Sequence, residues 1–491
     1  MSKADTSVII IGSGFSSLSA ACYLAKAGYK VTVLEKQGTT GGRARQLHKD
    51  GFTFDMGPTF YWMPDVFESF FADFDKRPSD YYHLEKLNPA YRVFFGKDDY
   101  LDIADEFEKI CETFEATEKG SSKKLNNFIN KAKENYDIAI RDLVYKPGEN
   151  LLELVTPKTI SRLSGFITSI KKQVSGYVTD SRLRKILEFP VLFLGAKPEN
   201  TPAFYNFMNY ADLKLGTWHP LGGMYEVVKG IQELAESLGV FFYTHCDVQG
   251  FEFSGNKITA VKTSGGRFTA DLILSGADYH FTETLLPSQY RQYSELYWDS
   301  RTFAPSALLF YVGFDKPVAE VTHHTLFFDS DFDLHARAIY DTKQWAEDPL
   351  FYASFPGKTD RSVVPEGKES GIFLIPIAPG IEDTEKLREK YFRIVMERLE
   401  KITGIQVSKH ILFKESFCVN DFTKDYNAYK GNAYGLANTL MQTHILRPRL
   451  KSKKVDNLYF CGQLTLPGPG VPPALISGKI VSQLIRKYHK L

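Results

Sequence analysis

Cysteine is scarce in this chain: Cys22, Cys111, Cys246, Cys418 and Cys461 are the five among 491 residues, and no two stand close together. Such spacing excludes a disulfide framework and a C-x-x-C metal site, and it fits a reducing, cytoplasmic setting. Long apolar runs are missing too. Val8–Ile11 falls far short of the ~20 residues that cross a bilayer, no later run approaches that length, and no basic-then-apolar leader opens the chain. Formal net charge is only +1, which removes any global attraction for nucleic acid. There is no G-x-S-x-G elbow and no histidine pair at ligand spacing, so no metal is expected. His323 and His324 are adjacent, and on a strand they point to opposite faces. What is plentiful is aromatic side chain, 38 Phe and 27 Tyr, in a chain too long for one hydrophobic core. Two domains and room for a large apolar cavity follow from those numbers.

The stretch VIIIGSGFSSLSAACYLAKAGYKVTVLEK (Val8–Lys36) has the spacing of a G-x-G-x-x-G turn, with Ser17 in place of the third glycine. Val8–Ile11 reads as a strand buried on both faces, Phe15–Ala27 as a helix stopped by Gly28, and Val31–Leu34 as a strand ending at Glu35. Gly12 makes the tight turn. Gly14 admits a pyrophosphate to the helix N-terminus, which Phe15 and Ser16 open. Glu35, followed by Lys36, is placed to accept hydrogen bonds from ribose hydroxyls. The third glycine serves close helix–strand packing, and the small Ser17 nearly matches it. This unit predicts a bound dinucleotide without separating NAD from FAD.

Two further stretches separate them. In GTTGGRARQLHKDGFTFDMGP (Gly38–Pro58), Gly41-Gly42 and Arg43 form a flexible turn carrying a cation toward the same phosphates. Gly51–Asp55 then alternates into a strand closed by Gly57-Pro58. In NLYFCGQLTLPGPGVPPALISG (Asn457–Gly478), Leu458–Cys461 is a buried strand ended by Gly462, and Gly468 and Gly470 leave backbone bare for a flat ring. Pro472-Pro473 start a helix running to about Tyr488. Its N-terminal N–H groups suit the negative charge of a reduced flavin, with Val471, Ala474 and Leu475 as donors because the prolines have none. No second strand–glycine–helix unit seats a nicotinamide; TSGGRF (Thr263–Phe268) reads as a hairpin turn. The expected cofactor is FAD.

The segment Gly38–Pro58 resembles the FAD-dependent amine oxidase and phytoene desaturase superfamily, in which a G-G-R and a D-x-G-P lie along the ribityl chain and flavin ring. The resemblance carries over Arg43, Gly57 and Pro58, and it sets backbone at Val248 against the adenine. GFTFDMGPTFYWMPDVFESFF (Gly51–Phe71), FLGAKPENTPAFYNFMNYAD (Phe193–Asp212) and GTWHPLGGMYEVVKGIQELAESLGV (Gly216–Val240) extend the likeness to carotenoid desaturases of the bacterial phytoene desaturase type along the whole chain. Gln463 departs from an acid, and Pro473 from a glycine, often found in relatives.

That likeness implies an α/β fold: a Rossmann-like FAD-binding domain of amine oxidase/phytoene desaturase type with an inserted mixed-sheet plus helical substrate domain. Residues 1–80, 220–285 and 420–491 would form the discontinuous FAD-binding domain, and 81–219 and 286–419 the substrate and membrane-facing domain. The implied enzyme is an oxidoreductase acting on CH–CH groups. It would introduce conjugated double bonds into an acyclic C40 carotenoid, phytoene toward lycopene, by hydride transfer to flavin. Desaturation of hydroxylated or monocyclic carotenoids, a flavin-dependent carotene isomerase or saturase, and a non-catalytic lipid escort on the same fold are the alternatives. Asp180 and Arg184, at i and i+4 of a helix, resemble an acid–arginine pair proposed to assist proton removal in relatives. From Pro157 to Val178 apolar residues recur at helical spacing beside Lys158, Arg162, Lys171 and Lys172. A basic amphipathic helix of this kind suits peripheral contact with the inner face of the cytoplasmic membrane.

Overall fold

The computed structural model describes residues 6–150, 153, 168–439 and 442–489. Short apolar runs build a five-stranded sheet in which every pairing is parallel. Its order is Leu458–Phe460, Leu272–Ser275, Ser7–Ile11, Lys30–Leu34 and Phe241–Tyr243. The central strand is buried along Val8–Ile11, because a strand covered on both faces needs apolar side chains in both directions. Helix Phe15–Lys26 follows at once, and Tyr225–Ser237 and Val471–Tyr488 pack against it. Each element read from the first and last segments is present with slightly shifted ends. The sheet draws its strands from three separated stretches of chain.

Ser17 fits the third-glycine position because the missing volume is supplied opposite it. A Cβ on Gly276 would lie 2.0 Å from the Ser17 Oγ. The C-terminal helix makes a second close approach: a Cβ on Gly478 would fall 2.4 Å from the Ser16 carbonyl oxygen and 2.7 Å from the Ala20 nitrogen. Backbone cannot rotate out of the way. Gly478→Ala is therefore expected to destabilise the fold by about 2–3 kcal/mol through overpacking, read as a lower denaturant midpoint with unchanged slope. An unshifted midpoint would show that the helices separate freely.

A seven-stranded sheet forms the second body. Its order is Ile411–Phe417, Ser306–Phe314, Glu369–Ile377, Phe351–Ser354, His324–Phe327, Tyr91–Gly96 and Asp99–Ile103, with one parallel pairing, between His324–Phe327 and Tyr91–Gly96. Along Ser306–Phe314 the side chains alternate between two cores. Leu308, Phe310 and Val312 face helix Glu385–Thr403, whereas Ala307, Leu309 and Tyr311 face Phe52 and Phe54. Phe52–Asp55 pairs with Gln46–Lys49 as a hairpin. The segment that resemblance assigns to the flavin is thus bolted to the second sheet.

Of the amphipathic helix expected over 157–178, residues 157–167 lie outside the described residues. The described end forms a short helix, Ile170–Ser175, capped by Ser169 and ended at Gly176.

Candidate functional site

The glycine turns of the parallel sheet and one face of the seven-stranded sheet enclose a cavity of about 860 Å³. Gly12, Gly14, Phe15, Ser16, Glu35, Lys36, Gly42, Arg43, Gly57, Pro58, Val248, Gly462, Gly470, Val471 and Pro472, expected from sequence to bind the cofactor, line it, whereas Gly468 and Leu475 do not. Beyond them the wall turns apolar, with Phe60, Trp62, Phe189, Phe204, Leu326 and Phe328 among its side chains.

Individual roles differ from those read in sequence. Glu35 accepts from the Ser13 backbone N–H at 2.8 Å, the Ser13 hydroxyl at 2.5 Å and the Gln37 N–H at 2.8 Å. It therefore clamps the glycine turn with three of a carboxylate's roughly four acceptor sites, which leaves one for a ribose hydroxyl. Lys36 donates to the Lys424 carbonyl at 2.8 Å, tying the strand end to the segment before Asn427. Gly57 is a glycine because a Cβ there would lie 2.2 Å from the Arg43 carbonyl oxygen, whereas a Cβ on Gly14 would meet nothing within 4 Å. Gly14 faces the open cavity; Gly57 faces protein. A Cβ on Gly468 would strike the Asn438 side chain at 2.8 Å, so its bareness serves packing of the loop and not a ring surface. At the C-terminal helix the Ala474 N–H already bonds the Gly470 carbonyl at 3.0 Å, which leaves Val471 as the free amide of that turn.

These residues fit FAD. The Arg43 Nε is buried and has no hydrogen-bond partner, while Arg43 lines the cavity and its Nη2 donates to the Asn432 carbonyl at 3.3 Å. A buried donor left unpaired costs ~1–3 kcal/mol, and a phosphate oxygen would satisfy it. Asp278, unremarked in sequence, also lines this end; it caps helix Tyr279–Thr284 and accepts from the Tyr429 N–H at 3.2 Å. Burial raises its carboxyl above the usual range, opposed by bonded N–H groups and by Arg43.

Asp180 and Arg184 do not pair. Asp180 is the N-cap of helix Ser181–Glu188 and accepts from the Arg182 and Leu183 N–H groups. Its carboxylate pairs with Arg182 at 3.1 Å, and Arg184 donates to the Val178 carbonyl at 3.0 Å. The Asp180 carbonyl accepts the first intrahelical bond, from the Arg184 N–H at 3.1 Å, but its carboxylate turns to the first-turn N–H groups and so misses the Arg184 side chain. Neither side chain lines the cavity. Asp180→Asn, which preserves a cap, is expected to keep turnover per bound flavin within about twofold of wild type, and Asp180→Ala to lose ~1 kcal/mol of stability. A tenfold slower Asp180→Asn with flavin retained would return the carboxylate to the chemistry.

Two constellations gave no sequence signal. Arg447, 3% exposed, spends all five N–H donors on neutral oxygens: Thr465 O at 2.9 Å, Asn438 Oδ1 at 2.8 Å, and Gln442 O, Leu436 O and Gln463 O at 3.0 Å. It knits the loop Gln463–Thr465 to Leu436, Asn438 and Gln442. Among the described residues no carboxylate pairs with it, and burial lowers its pKa to about 10. The second constellation joins Thr59, Tyr352 and His324. The Tyr352 hydroxyl lies 2.7 Å from both the Thr59 Oγ1 and the His324 Nδ1. His323 and His324 do not splay apart as read from sequence. His323 precedes the strand, and the two rings sit 4.5 Å apart, both buried.

Among the described residues no group of His, Cys, Asp and Glu could hold a metal ion. The family model described as flavin containing amine oxidoreductase matches residues 15–486. A carotenoid 3,4-desaturase of Haloarcula japonica is 40% identical over 484 residues, 97% of each chain. A 4,4'-diapophytoene desaturase (4,4'-diaponeurosporene-forming) of Staphylococcus aureus is 31% identical, covering 98% of this chain and 99% of its own. Among solved structures, an oxidoreductase from Methanosarcina mazei superposes with TM-score 0.64 at 17% identity, over 97% of this chain and 100% of its own. A redesigned putrescine oxidase does so with TM-score 0.62 at 14% identity, over 98% and 99%. At these identities the two structures establish the fold.

Proposed function

This chain belongs to the carotenoid desaturases of the flavin-containing amine oxidoreductase family, with FAD as cofactor, and on that premise we propose that it desaturates an acyclic carotenoid. The observation that carries the reading is one cavity in which a glycine-lined dinucleotide end opens into an aromatic and aliphatic end. When bound there, FAD supplies a two-electron acceptor for a hydride from an aliphatic C–H. The protein's share is to hold an extended hydrocarbon, exclude water and place a dipole at the flavin end. Phe15, Arg43 and Glu35 hold the nucleotide, and Gly462 and Val471 offer backbone to the ring end.

For the bond acted on, two readings stand: phytoene toward lycopene, and the 3,4 bond of a carotenoid already conjugated. The name of the relative at 40% identity favours the second. Expression in one bacterial host that accumulates phytoene and another that accumulates lycopene separates them. Red pigment in the first host supports phytoene desaturation. A longer-wavelength product in the second alone supports the 3,4 bond, and unchanged pigment in both removes the proposal.

The same reading puts the substrate entrance at a membrane. No helix among the described residues is long and apolar enough to cross one, so contact would be peripheral, from the cytoplasmic side. The wall segment Phe332–Tyr340 carries Leu334 outward at 59% exposure, and Asp333 ties it to helix Ile170–Ser175 through Lys171, beside exposed Lys172. Leucine insertion and a lysine near anionic headgroups are worth ~1–2 kcal/mol each. Leu334→Asp with Lys172→Glu should weaken binding to phosphatidylglycerol vesicles, read by co-flotation, about thirtyfold or more. Equal flotation of the double variant would place any membrane contact elsewhere.

A further inference from the structure

Making one double bond from a CH2–CH2 pair removes two hydrogens, and they leave differently. One departs with its bonding electrons, which FAD accepts. The other departs as a proton, and its C–H electron pair becomes the new π bond. That proton needs an acceptor inside an apolar tunnel. The carboxylates lining the cavity among the described residues, Glu35, Asp247, Asp278 and Asp425, stand at the nucleotide end or on the segments beside it. Of the two histidines on the wall, His335 has both ring nitrogens occupied, by the Pro376 carbonyl at 2.8 Å and the Leu350 N–H at 3.0 Å. The His444 ring makes no hydrogen bond, and its Nε2 stands 3.5 Å from the Glu153 carboxylate.

We propose that the Tyr352 hydroxyl, backed by His324, takes the proton. The step rests on the desaturase reading above: the substrate proton passes to the Tyr352 oxygen as the Tyr352 proton moves to the His324 Nδ1. Three observations place this pair. Tyr352 lines the cavity, and its hydroxyl bonds Thr59, the residue that directly follows Gly57-Pro58. His324 is fully buried, stacked on the cavity residue Phe60 at 4.0 Å between ring centroids, with its Nε2 unpartnered. The rings then stand in series away from the tunnel, His324 to His323 at 4.5 Å and His323 to His219 at 4.6 Å, with the His219 Nε2 3.2 Å from Asp360.

Burial, reinforced by His219, holds the His324 pKa well below the usual imidazole value. The ring is therefore neutral at physiological pH, and the step requires the tautomer that carries its proton on Nε2 and leaves Nδ1 bare. Burial also raises the Tyr352 phenol, so it does not ionise unaided. A weak base suffices, because a C–H beside a developing allylic cation is a far stronger acid than imidazolium.

The test uses the flavin-loaded enzyme in liposomes with whichever carotenoid the wild type converts. General-base contributions are typically 10²–10⁴-fold. Tyr352→Phe, which keeps the ring and removes the hydroxyl, should therefore lose about 100-fold in turnover while retaining its FAD. Wild-type turnover should be slower in deuterium oxide, and the residual turnover of Tyr352→Phe should not. His324→Gln should fall with it, because an amide cannot take the proton. A readout independent of turnover is nitrogen NMR of the histidines, in which the His324 Nδ1 should appear as a bare acceptor whose signal moves in Tyr352→Phe. Tyr352→Phe within twofold of wild type, no solvent effect on the wild type, or a protonated Nδ1 in the resting enzyme each overturns the assignment. A wild type inactive on every carotenoid offered speaks against the desaturase reading instead, while NMR still reports on the pair.

Discussion

A chain with alanine at Gly57 should retain less than about a tenth of the FAD held by wild type, because the added methyl overpacks backbone at a cost of ~3 kcal/mol or more. The cause lies in the Arg43 turn. The new Cβ would sit 2.2 Å from the Arg43 carbonyl oxygen and 3.1 Å from its carbon. Neither atom can swing aside as a side chain would. Relief must come from moving the Gly41–Ala44 turn, whose glycines hold φ of +101° and +57°. A Cβ on Gly42 would be 3.4 Å from the Gly14 Cα, so the displaced turn crowds the Gly12–Gly14 loop, the expected pyrophosphate site. Gly14→Ala provides the contrast. Its methyl enters open cavity, so that variant should unfold like wild type and yet bind FAD poorly. Flavin absorbance per purified chain, read beside the unfolding midpoint, checks both. A Gly57→Ala protein as yellow and as stable as wild type would mean that Arg43 is not held as described.

The second large effect is expected at Arg447. Arg447→Met keeps much of the side-chain volume but leaves five buried oxygens without the charged donor that binds them. Hydrogen bonds to charged groups contribute ~1.5–3 kcal/mol each, and buried acceptors left unpaired are penalised further. Even with local relaxation a loss of about 4 kcal/mol is expected, enough to lower the denaturant midpoint markedly in a marginally stable fold. Because the cage holds Thr465 and Gln463, which lines the cavity, the variant should also lose FAD. Arg447→Lys, with three donors instead of five, should recover part of both. If Arg447→Met unfolds at the wild-type midpoint with its flavin in place, the cage is ornamental to the loop.

Much of the cofactor site was legible because its parts are local. The strand, glycine turn, helix and acid from Val8 to Glu35 occupy one contiguous stretch, and each piece has a compositional signature independent of the rest of the chain. The same holds for the strand, glycine loop and prolines from Leu458 to Pro473. The Asp180–Arg184 pair failed locally: the helical spacing is there, but the carboxylate of a cap residue bonds the N–H groups of the first turn instead of the side chain four places on. The amphipathic reading over 157–178 matches the described helix only at Ile170–Ser175.

Sequence alone determined that two glycine turns and a proline-started helix end stand ready for a dinucleotide, because turn, cap and burial patterns are written within a few neighbouring residues. Only the tertiary structure decided which distant groups meet. Thr59 reaches Tyr352 across 293 positions of chain, Gly276 makes room for Ser17, and Arg447 gathers oxygens from two separate loops. Such contacts depend on how sheets stack and loops close around a core. They leave no period or spacing along the chain from which they could be read.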